Sequence, residues 1–372
     1  MRLTIERSEL LRALGHVASV VERRTTIPIL SNLALRAQDD ALELKGTDLE
    51  REVVERAPAE VDQPGATTVS AHLLYDIVRK LNDGGRITLE TEGDAQRLQV
   101  SSGQSQFYLP MLSADEFPDL AAGELPHRFE LAARDLRRLI DKTKFAISTE
   151  ETRYYLTGIY FHALENNGAQ MLRAVATDGH RLAQVEVPMP EGAGDWPGVI
   201  VPRKTVTELT RLIEESDAPV EIALSETRIQ FTTGTVIMTS KLIDGTFPDY
   251  TRVIPHGNDK RMMVGKQTFA MAVDRVSTVS ADRGRAVKLS LAPSALTFSV
   301  FNPDGGSATE QMEIEYDDPQ LEIGFNARYL LDIAQQIDGD TAEFKLADAG
   351  SPTIICDSGD TGALYVLMPM RV

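Results

Sequence analysis

The sequence predicts an α+β protein made of three similar domains, each containing two units of one strand, one helix and three further strands. Three observations support this prediction. The chain contains an internal repeat, it has helix-like segments at regular intervals, and strand-like segments fill the gaps between them. In this fold class the helices cover one face of antiparallel sheets.

The repeat has a period of 130 residues. The tetrad Phe-Pro-Asp-Leu at 117–120 returns as Phe-Pro-Asp-Tyr at 247–250, and Thr47-Asp48 returns as Thr177-Asp178. Two unrelated motifs share one offset, which indicates a duplicated structural unit.

Helical periodicity occurs in six segments. In the first, apolar residues stand at Leu10, Leu14, Val17 and Val21, which places them on one helix face. The starts of the segments lie 60 to 70 residues apart, which is about half of the longer period. The predicted helices are 8–21, 70–81, 133–145, 203–215, 266–279 and 326–337.

Short apolar or alternating segments between the helices predict strands, and Gly- and Asp-rich turns separate them. Polar stretches with Gly and Pro at 123–126 and 254–257 mark the expected domain boundaries. The predicted domains are 1–125, 126–254 and 255–372.

The composition excludes several classes of protein. The chain has 372 residues, of which 42% are hydrophobic and 25% charged, as in ordinary globular proteins. Its one cysteine, Cys356, excludes a disulfide framework and fits a reducing compartment; we expect a buried thiol on a strand. The six His show no metal-binding spacing, so neither metal nor cofactor is expected. The start of the chain lacks the pattern of a signal peptide, and no apolar run is long enough to span a membrane, so a cytoplasmic, soluble protein is predicted.

Charge is distributed unevenly along this acidic chain. The formal net charge is −18, which by itself argues against a nucleic-acid partner. The six predicted helices nevertheless carry a net positive charge, and the third has the most basic residues. A single charged helix face usually just meets water. Six equivalent basic helices on one concave side would instead bind a polyanion through its phosphates, without reading sequence.

The heptapeptide at 176–182, Ala-Thr-Asp-Gly-His-Arg-Leu, has two interpretations. Asp178, His180 and Arg181 could be catalytic, but no nucleophile motif and no nucleotide-binding loop accompanies them. Thr47-Asp48 occupies the equivalent place and is followed by Leu-Glu, which favours Thr177-Asp178 as a structural turn. Residues 179–181 then read as an addition specific to the middle domain, which fits a docking pocket better than catalysis.

Two further segments are ambiguous. The end of the chain at 365–372 is apolar, with Met368 and Met370 flanking Pro369, and is either a final strand or an adaptable pocket lining. Trp196 lies in a loop at 191–197, where partial burial is the simpler explanation.

Several ordered motifs make the whole chain resemble one family, the bacterial DNA polymerase III β subunits, which are replicative sliding clamps. The motifs lie at 27–32, 46–50, 153–158, 176–182, 201–204, 241–250 and 368–371. The resemblance implies a non-enzymatic processivity factor. Two chains would form a head-to-tail homodimeric ring of six clamp domains around double-stranded DNA, with helices inside and sheets outside.

The resemblance also implies three sets of site residues. A partner-peptide pocket between the second and third domains would bind short segments of the replicative polymerase, the clamp-loader ATPase, repair polymerases and ligase-type factors, with Ser351-Pro352 at its rim. The pocket set is Leu156, Thr177, Gly179, His180, Arg181, Leu182, Pro248, Arg252, Val253, Val366, Met368, Pro369 and Met370. Phe107 and Leu109 on an edge strand would meet Thr278 and Val279 of the second copy.

For DNA, the resemblance indicates Arg24 and the Tyr154-Tyr155 pair. The charge pattern adds Arg23, Arg137, Arg138, Lys142, Arg203 and Lys204, and more weakly Arg79 and Arg283. An enzyme using Asp178, His180 and Arg181, or a scaffold that does not bind DNA, remain the alternatives at this point.

Overall fold

The computed structural model describes residues 1–92, 96–120, 123–194, 196–214, 217–280 and 286–371. Arg283 lies outside these ranges. The helices are α1 (Arg7–Val17), α2 (Ala71–Lys80), α3 (Ala133–Asp141), α4 (Arg203–Glu214), α5 (Lys266–Ser277) and α6 (Ala327–Ala334). The strands are β1 (Arg2–Glu6), β2 (Asn32–Gln38), β3 (Ala41–Thr47), β4 (Arg51–Pro58), β5 (Glu60–Gln63), β6 (Gly65–Ser70), β7 (Arg86–Glu92), β8 (Arg97–Ser102), β9 (Ser105–Leu112), β10 (His127–Leu131), β11 (Gly158–Asn166), β12 (Ala169–Thr177), β13 (Arg181–Pro188), β14 (Val199–Pro202), β15 (Val220–Leu224), β16 (Arg228–Thr233), β17 (Val236–Lys241), β18 (Lys260–Gly265), β19 (Ala286–Ala292), β20 (Ala295–Asn302), β21 (Gly306–Glu313), β22 (Leu321–Asn326), β23 (Thr341–Leu346), β24 (Thr353–Asp357) and β25 (Asp360–Leu367).

The element order repeats one module six times: a strand, a helix and three strands. Among the strands of the described residues, only β5, which pairs with β1, is additional to this pattern. The predicted α+β class and the predicted repeating unit are therefore confirmed.

The predicted helices begin within one residue of the observed ones, but several were predicted to end too late. Helix α1 ends at Val17 instead of residue 21, and α3 at Asp141 instead of residue 145. After α1 the chain turns, yet Val20 and Val21 remain buried in the core. These valines continue the apolar spacing of the helix although they lie beyond its last hydrogen-bonded turn, so periodicity alone overestimates its length.

The first compact unit comprises Met1–Arg134, Pro190–Asp195 and Lys204–Leu242. Its strands form one 13-stranded sheet in the order β10-β15-β16-β17-β4-β3-β2-β6-β9-β8-β7-β1-β5. Strand β17 pairs antiparallel with β4, which joins the fourth module to the first in a continuous sheet. Helix α1 packs on β3 and β4 and beside α2.

The second compact unit comprises Asp135–Met189, Trp196–Arg203 and Ile243–Val372. It contains an eight-stranded sheet, β14-β11-β12-β13-β25-β24-β23-β18, and a four-stranded sheet, β21-β20-β19-β22. In the larger sheet β13 pairs with β25, so that Arg181 lies opposite Leu367 and Leu182 opposite Val366. This pairing places the C-terminal segment beside the heptapeptide at 176–182. The domain boundaries after residues 125 and 254 remain a prediction.

Two single-residue expectations have different outcomes. Trp196 is buried, as expected for a loop residue that closes over a core. Cys356 lies on β24 as predicted but is only half-buried. The pairing of β24 with β25 is irregular between Ile355 and Asp357, and both of these neighbours are buried instead. Within the described ranges, no helix is both long enough and apolar enough to cross a membrane.

Candidate functional site

The heptapeptide at 176–182 forms the tight turn between β12 and β13. The Thr177 hydroxyl donates to the Arg181 carbonyl at 2.8 Å and accepts from the Gly179 N–H at 3.1 Å. One carboxylate oxygen of Asp178 accepts from the N–H groups of His180 and Arg181 at 2.9 and 3.0 Å. The side chains of Thr177 and Asp178 therefore satisfy the backbone of the turn, and Gly179 completes it with a φ of +88°.

The same turn occurs between β3 and β4. Thr47 bonds to the carbonyl of Arg51 at 2.7 Å, and Asp48 accepts from the N–H of Glu50 at 3.0 Å and of Arg51 at 2.7 Å. The interpretation of Thr-Asp as a structural turn is confirmed.

The idea that 179–181 is wholly an addition of the middle domain was wrong. Arg51 stands 130 residues before Arg181, and the Nε of each arginine lies 3.2 Å from the aspartate of its own turn. Only Gly179 and His180 differ in kind from their equivalents, Leu49 and Glu50. The arginine therefore belongs to the repeated turn.

Arg181 supports the site from inside. Its guanidinium is buried and donates to the Phe145 carbonyl at 2.7 Å. It also forms an ion pair with Asp332 in the last turn of α6. The same group lies 4.2 Å from the ring centroid of Tyr329. Arg181 thus fixes α6 to the turn and has few donors left for a ligand, which differs from the lining role that the resemblance implies.

An apolar floor lies between this turn and the segment 247–250. Leu156, Leu182 and Val366 are buried in one cluster with Phe247 and Tyr250. The first two come from the 3-10 segment Glu151–Leu156 and from β13, and Val366 comes from β25. The β13–β25 pairing brings Leu182 and Val366 together, and Leu156 joins their cluster from the 3-10 segment.

Exposed apolar and polar side chains surround this floor. Val253 and Met368 are exposed, and Pro369 and Met370 are half-buried. The N–H of Met368 donates to the carbonyl of His180 at 2.9 Å, so the C-terminal segment and the turn are hydrogen-bonded to one another. The two interpretations of residues 365–372, a final strand or a pocket lining, are compatible, because β25 is a final strand and the residues after it lie beside the turn. The exposed residues of the predicted set are Gly179, His180, Pro248, Arg252, Val253 and Met368.

Tyr329 at the site was not in the predicted set. Its ring lies 6.3 Å from the ring of His180, centroid to centroid, with the planes inclined by 27°. The signal in the sequence was the helix start at 326–329, where Asn326 caps α6 by accepting from the N–H groups of Arg328 and Tyr329. That cap holds the ring in place beside His180.

A polar network behind the floor was also missed. The Tyr250 hydroxyl accepts from Arg173 at 2.7 Å and donates to Nε2 of His162 at 2.9 Å. Arg173 in turn forms an ion pair with the buried Glu186. Burial lowers the pKa of His162, and the positive charge of Arg173 lowers it further, while a hydrogen bond to the Ala163 carbonyl acts in the opposite direction. Neutral His162 is the form that can accept from Tyr250.

An aromatic stack continues this support. The Tyr160 ring lies 4.9 Å from Phe247 and 4.8 Å from His162, nearly parallel to both. Gly198 makes room for it, because a Cβ there would stand 2.2 Å from the Tyr160 hydroxyl. The segment 247–250 is therefore held from below by stacking and by hydrogen bonds.

The residues predicted to contact DNA have varied environments. Arg24 is exposed in the loop after α1, and Tyr154 is exposed with Tyr155 half-buried beside it. Arg203 and Lys204 are exposed at the start of α4, and Lys204 forms an ion pair with Glu22 at 2.8 Å. Arg23 is exposed as well, and so is Arg79, one of the weaker candidates.

The basic face of α3 is not the free cationic surface that the charge pattern suggested. Arg138 forms a bidentate ion pair with Asp360, and Lys142 is buried and bonds to Asp338 at 2.6 Å. These carboxylates belong to turns of the sixth module, which the position of a residue on α3 could not reveal. The charges of Arg138 and Lys142 are therefore paired with carboxylates of the same chain, and Arg137 is half-buried.

The predicted interface residues differ in how far they are buried. On β9, Phe107 is half-buried and Leu109 is buried. At the end of α5, Thr278 is exposed and Val279 is half-buried. Strand β9 is an open edge only along part of its length, because β6 pairs with Leu112 and Met111.

Family models for the DNA polymerase III beta subunit match three successive parts of the chain. The N-terminal domain model matches residues 1–121, the central domain model 130–249 and the C-terminal domain model 251–371. The beta sliding clamp of Caulobacter vibrioides is 53% identical over 372 residues, which cover 100% of both chains. That of Escherichia coli K12 is 39% identical, again over 100% of both chains.

Solved structures agree with these relatives. A Caulobacter crescentus beta sliding clamp has a TM-score of 0.98 and 53% identity, covering 100% of this chain and 99% of that one. A Bartonella birtlesii sliding clamp bound to griselimycin has a TM-score of 0.97 and 52% identity, with 100% of both chains covered. A sliding clamp is a processivity factor and not a catalyst, in agreement with the prediction that this chain is no enzyme. The chain belongs to the family of bacterial DNA polymerase III beta subunits, the sliding clamps that keep a DNA polymerase on its template.

Proposed function

We propose that two copies of this chain close head to tail into a ring around duplex DNA, and that each copy binds a partner protein through one peptide pocket. The observation that carries this proposal is the arrangement at the end of β25. There a buried apolar floor is surrounded by exposed apolar side chains, in a chain whose family consists of sliding clamps. The partners would be the replicative polymerase, the clamp-loader ATPase, repair polymerases and ligase-type factors.

The peptide pocket fits a short extended segment with a few apolar anchors. Leu156, Leu182 and Val366 offer a dry floor, and Val253 and Met368 can close over an inserted side chain. Buried anchors of this kind supply most of the affinity of a peptide, while polar groups at the rim set its register. The proposed pocket therefore consists of the predicted pocket residues. Arg181 supports it through buried contacts and does not line it.

The test is a fluorescence-anisotropy titration with a labelled peptide that carries glutamine, leucine and phenylalanine. We expect Val253→Ser and Met368→Ser each to weaken binding about five- to tenfold, because each removes apolar area that the peptide covers. His180→Ala should weaken it modestly. Ile237→Ser, an exposed apolar position on β17, is the matched control and should bind like the wild type. Unchanged affinity in both rim variants would exclude this site as the peptide pocket.

For the duplex, the proposed contacts are Arg24, Tyr154, Tyr155, Arg137, Arg203 and Lys204. Cationic side chains that meet phosphates give binding that is independent of sequence and sensitive to salt. Loose contacts of this kind allow movement along DNA, whereas the closed ring would prevent release.

For the ring, two strand edges are the proposed meeting points. Strand β21 is the last strand of the four-stranded sheet, and residues 105–110 of β9 pair only with β8 among the described residues. Pairing of these edges between two copies would satisfy both rows of backbone groups. Phe107, Leu109, Thr278 and Val279 are the proposed side chains at this seam. The proposed domains are 1–125, 126–254 and 255–372, and the proposed site of action is the bacterial cytoplasm, where the chromosome is copied.

A further inference from the structure

Phe301 on β20 is an exposed aromatic side chain with small neighbours. It is 79% exposed, more than any other large apolar side chain in the described ranges. Its cross-strand partner on β21 is Ser307, and the next residues on the same face are Ser299 and Thr309. None of these side chains is large enough to cover the ring, and leaving it in water forgoes the free energy of burial.

The ring stands beside an open strand edge. Phe301, Ser307 and Thr309 form one end of a groove of about 1160 Å³ that crosses the outer face of the four-stranded sheet. The other end of the groove reaches Pro369 and Met370. Along β21 the side chains alternate in exposure, and the two that line the groove, Ser307 and Thr309, are small and polar. The edge strand thus leaves space above it on the same side as Phe301.

Strand β9 has a complementary feature. Tyr108 points away from the core, between the buried Leu109 and the half-buried Phe107, and is 49% exposed. Its hydroxyl lies 3.5 Å from the side chain of Gln106, and its cross-strand neighbour on β8 is Gln99. Tyr108 therefore also lies on the outward face of a strand whose edge is open over 105–110.

We propose that Tyr108 of a second copy packs against Phe301 across the seam of the ring, above Ser307 and Thr309. This inference rests on the proposed function, since it requires the edges of β9 and β21 to pair. Neighbouring strands are about 4.8 Å apart, so Phe301 and the partner copy's Tyr108 would lie two strand spacings, about 10 Å, from each other. Two aromatic side chains can span this distance when they lean toward each other over small residues. Aromatic pairs are favourable when their ring centroids lie about 4.5–7 Å apart.

A second copy suits this end of the groove better than a partner peptide does. Phe301 lies one strand from the open edge, and the residues between it and the edge are the small ones. The peptide pocket meets the groove at its opposite end, near Pro369 and Met370. The contact would seal the outer side of the seam, while the predicted interface residues Phe107 and Leu109 occupy the inner side.

The experiment measures the dimer dissociation constant by exchange of fluorescently labelled subunits. We expect Phe301→Ser and Tyr108→Ser each to weaken the dimer about 25-fold, because about fivefold is lost at each of the two seams of a ring. The double variant should be within about threefold of either single variant, since both remove the same contact. Phe301→Tyr should restore the wild-type constant, and Ile237→Ser, also exposed and apolar, should match the wild type.

The outcomes separate the inference from the proposed ring. If the wild type is a dimer and both serine variants have the same dissociation constant as the wild type, the proposed contact is wrong, and the ring is unaffected. The same holds if Phe301→Ser weakens binding of the labelled peptide while the dimer is unaffected, because the groove would then serve the peptide. A monomeric wild type at micromolar concentration would overturn both the ring and the contact.

Discussion

At the scale of single residues, the same turn occurs at 47–51 and at 177–181, and the two copies differ at their third residue. Both copies use Thr, Asp and Arg in the same roles, but the third residue is Gly179 in one and Leu49 in the other. Leu49 adopts a φ of +73°, which costs an ordinary side chain free energy. A Cβ at Gly179 would stand 2.6 Å from a guanidinium nitrogen of Arg153, so the Arg153 side chain would have to shift to admit it. Arg153 donates to the carbonyl of Asp178 at 3.0 Å, so the glycine lets a second arginine brace the wall of the peptide pocket.

We expect Gly179→Ala to lower the free energy of unfolding by about 1–2 kcal/mol, the cost of a left-handed conformation for a residue with a Cβ. Displacement of Arg153 should also weaken peptide binding severalfold. Leu49→Ala is the control, because its backbone is already left-handed with a side chain present, and it should stay within about 0.5 kcal/mol of the wild type. Urea denaturation and peptide anisotropy measure the two effects. Equal effects of the two variants on peptide binding would contradict the role of Arg153.

At the scale of elements, the floor of the proposed peptide pocket rests on a layer of polar and aromatic side chains behind it. Arg173 on β12 and His162 on β11 both bond to the hydroxyl of Tyr250, and Tyr160 stacks on Phe247. These contacts fix the segment that carries Pro248 at one side of the pocket and the 3-10 segment Tyr250–Val253 at the other. A partly satisfied buried network is costly, so each member is expected to stabilise the others.

Acidification should weaken this layer. The pKa of His162 lies below the value of 6.5 for the unfolded chain, mainly because the ring is buried. The unfolded state therefore binds more protons as the pH falls through this range, and stability is lost below about pH 6.5. We expect the urea midpoint of the wild type to fall more between pH 7.5 and 5.5 than that of His162→Gln, whose amide oxygen can still accept from Tyr250. Parallel midpoints for the two proteins would show that His162 does not contribute.

The sequence predicted the elements, but it did not reveal the side chains that lie behind the proposed pocket. The 3.6-residue periodicity located every helix start, because one face of each helix is buried. The residues 162, 173 and 186 lie on strands, where alternation tells which face a side chain occupies but not which side chains it meets. Tyr250, the partner of His162 and Arg173, lies more than 70 residues further along the chain. Contacts of that kind are made by the sheet topology, which no local pattern contains.

At the scale of the whole molecule, the structure reduces the positive surface that the charge pattern suggested. Arg138 and Lys142 are bound to Asp360 and Asp338, so part of the basic excess of the helices holds the protein together. The proposed DNA-binding set contains four cations, Arg24, Arg137, Arg203 and Lys204, of which Lys204 also pairs with Glu22. Four phosphate contacts predict a loss of affinity of roughly a hundredfold between 50 and 200 mM salt. A protein held on DNA only by electrostatic attraction would then dissociate at moderate salt.

Retention on DNA must therefore depend on topology if the chain acts as a closed ring. We expect protein loaded by a clamp loader and ATP onto a nicked circular plasmid to remain bound through gel filtration in 0.5 M salt. Cutting the same plasmid once should release it, because a ring slides off a free end. Lys204→Ala together with Arg24→Ala should weaken equilibrium binding to short linear duplexes but leave retention on the circle unchanged. If salt removed the protein equally from circular and linear DNA, phosphate contacts would be the only link, and the chain would not encircle its template.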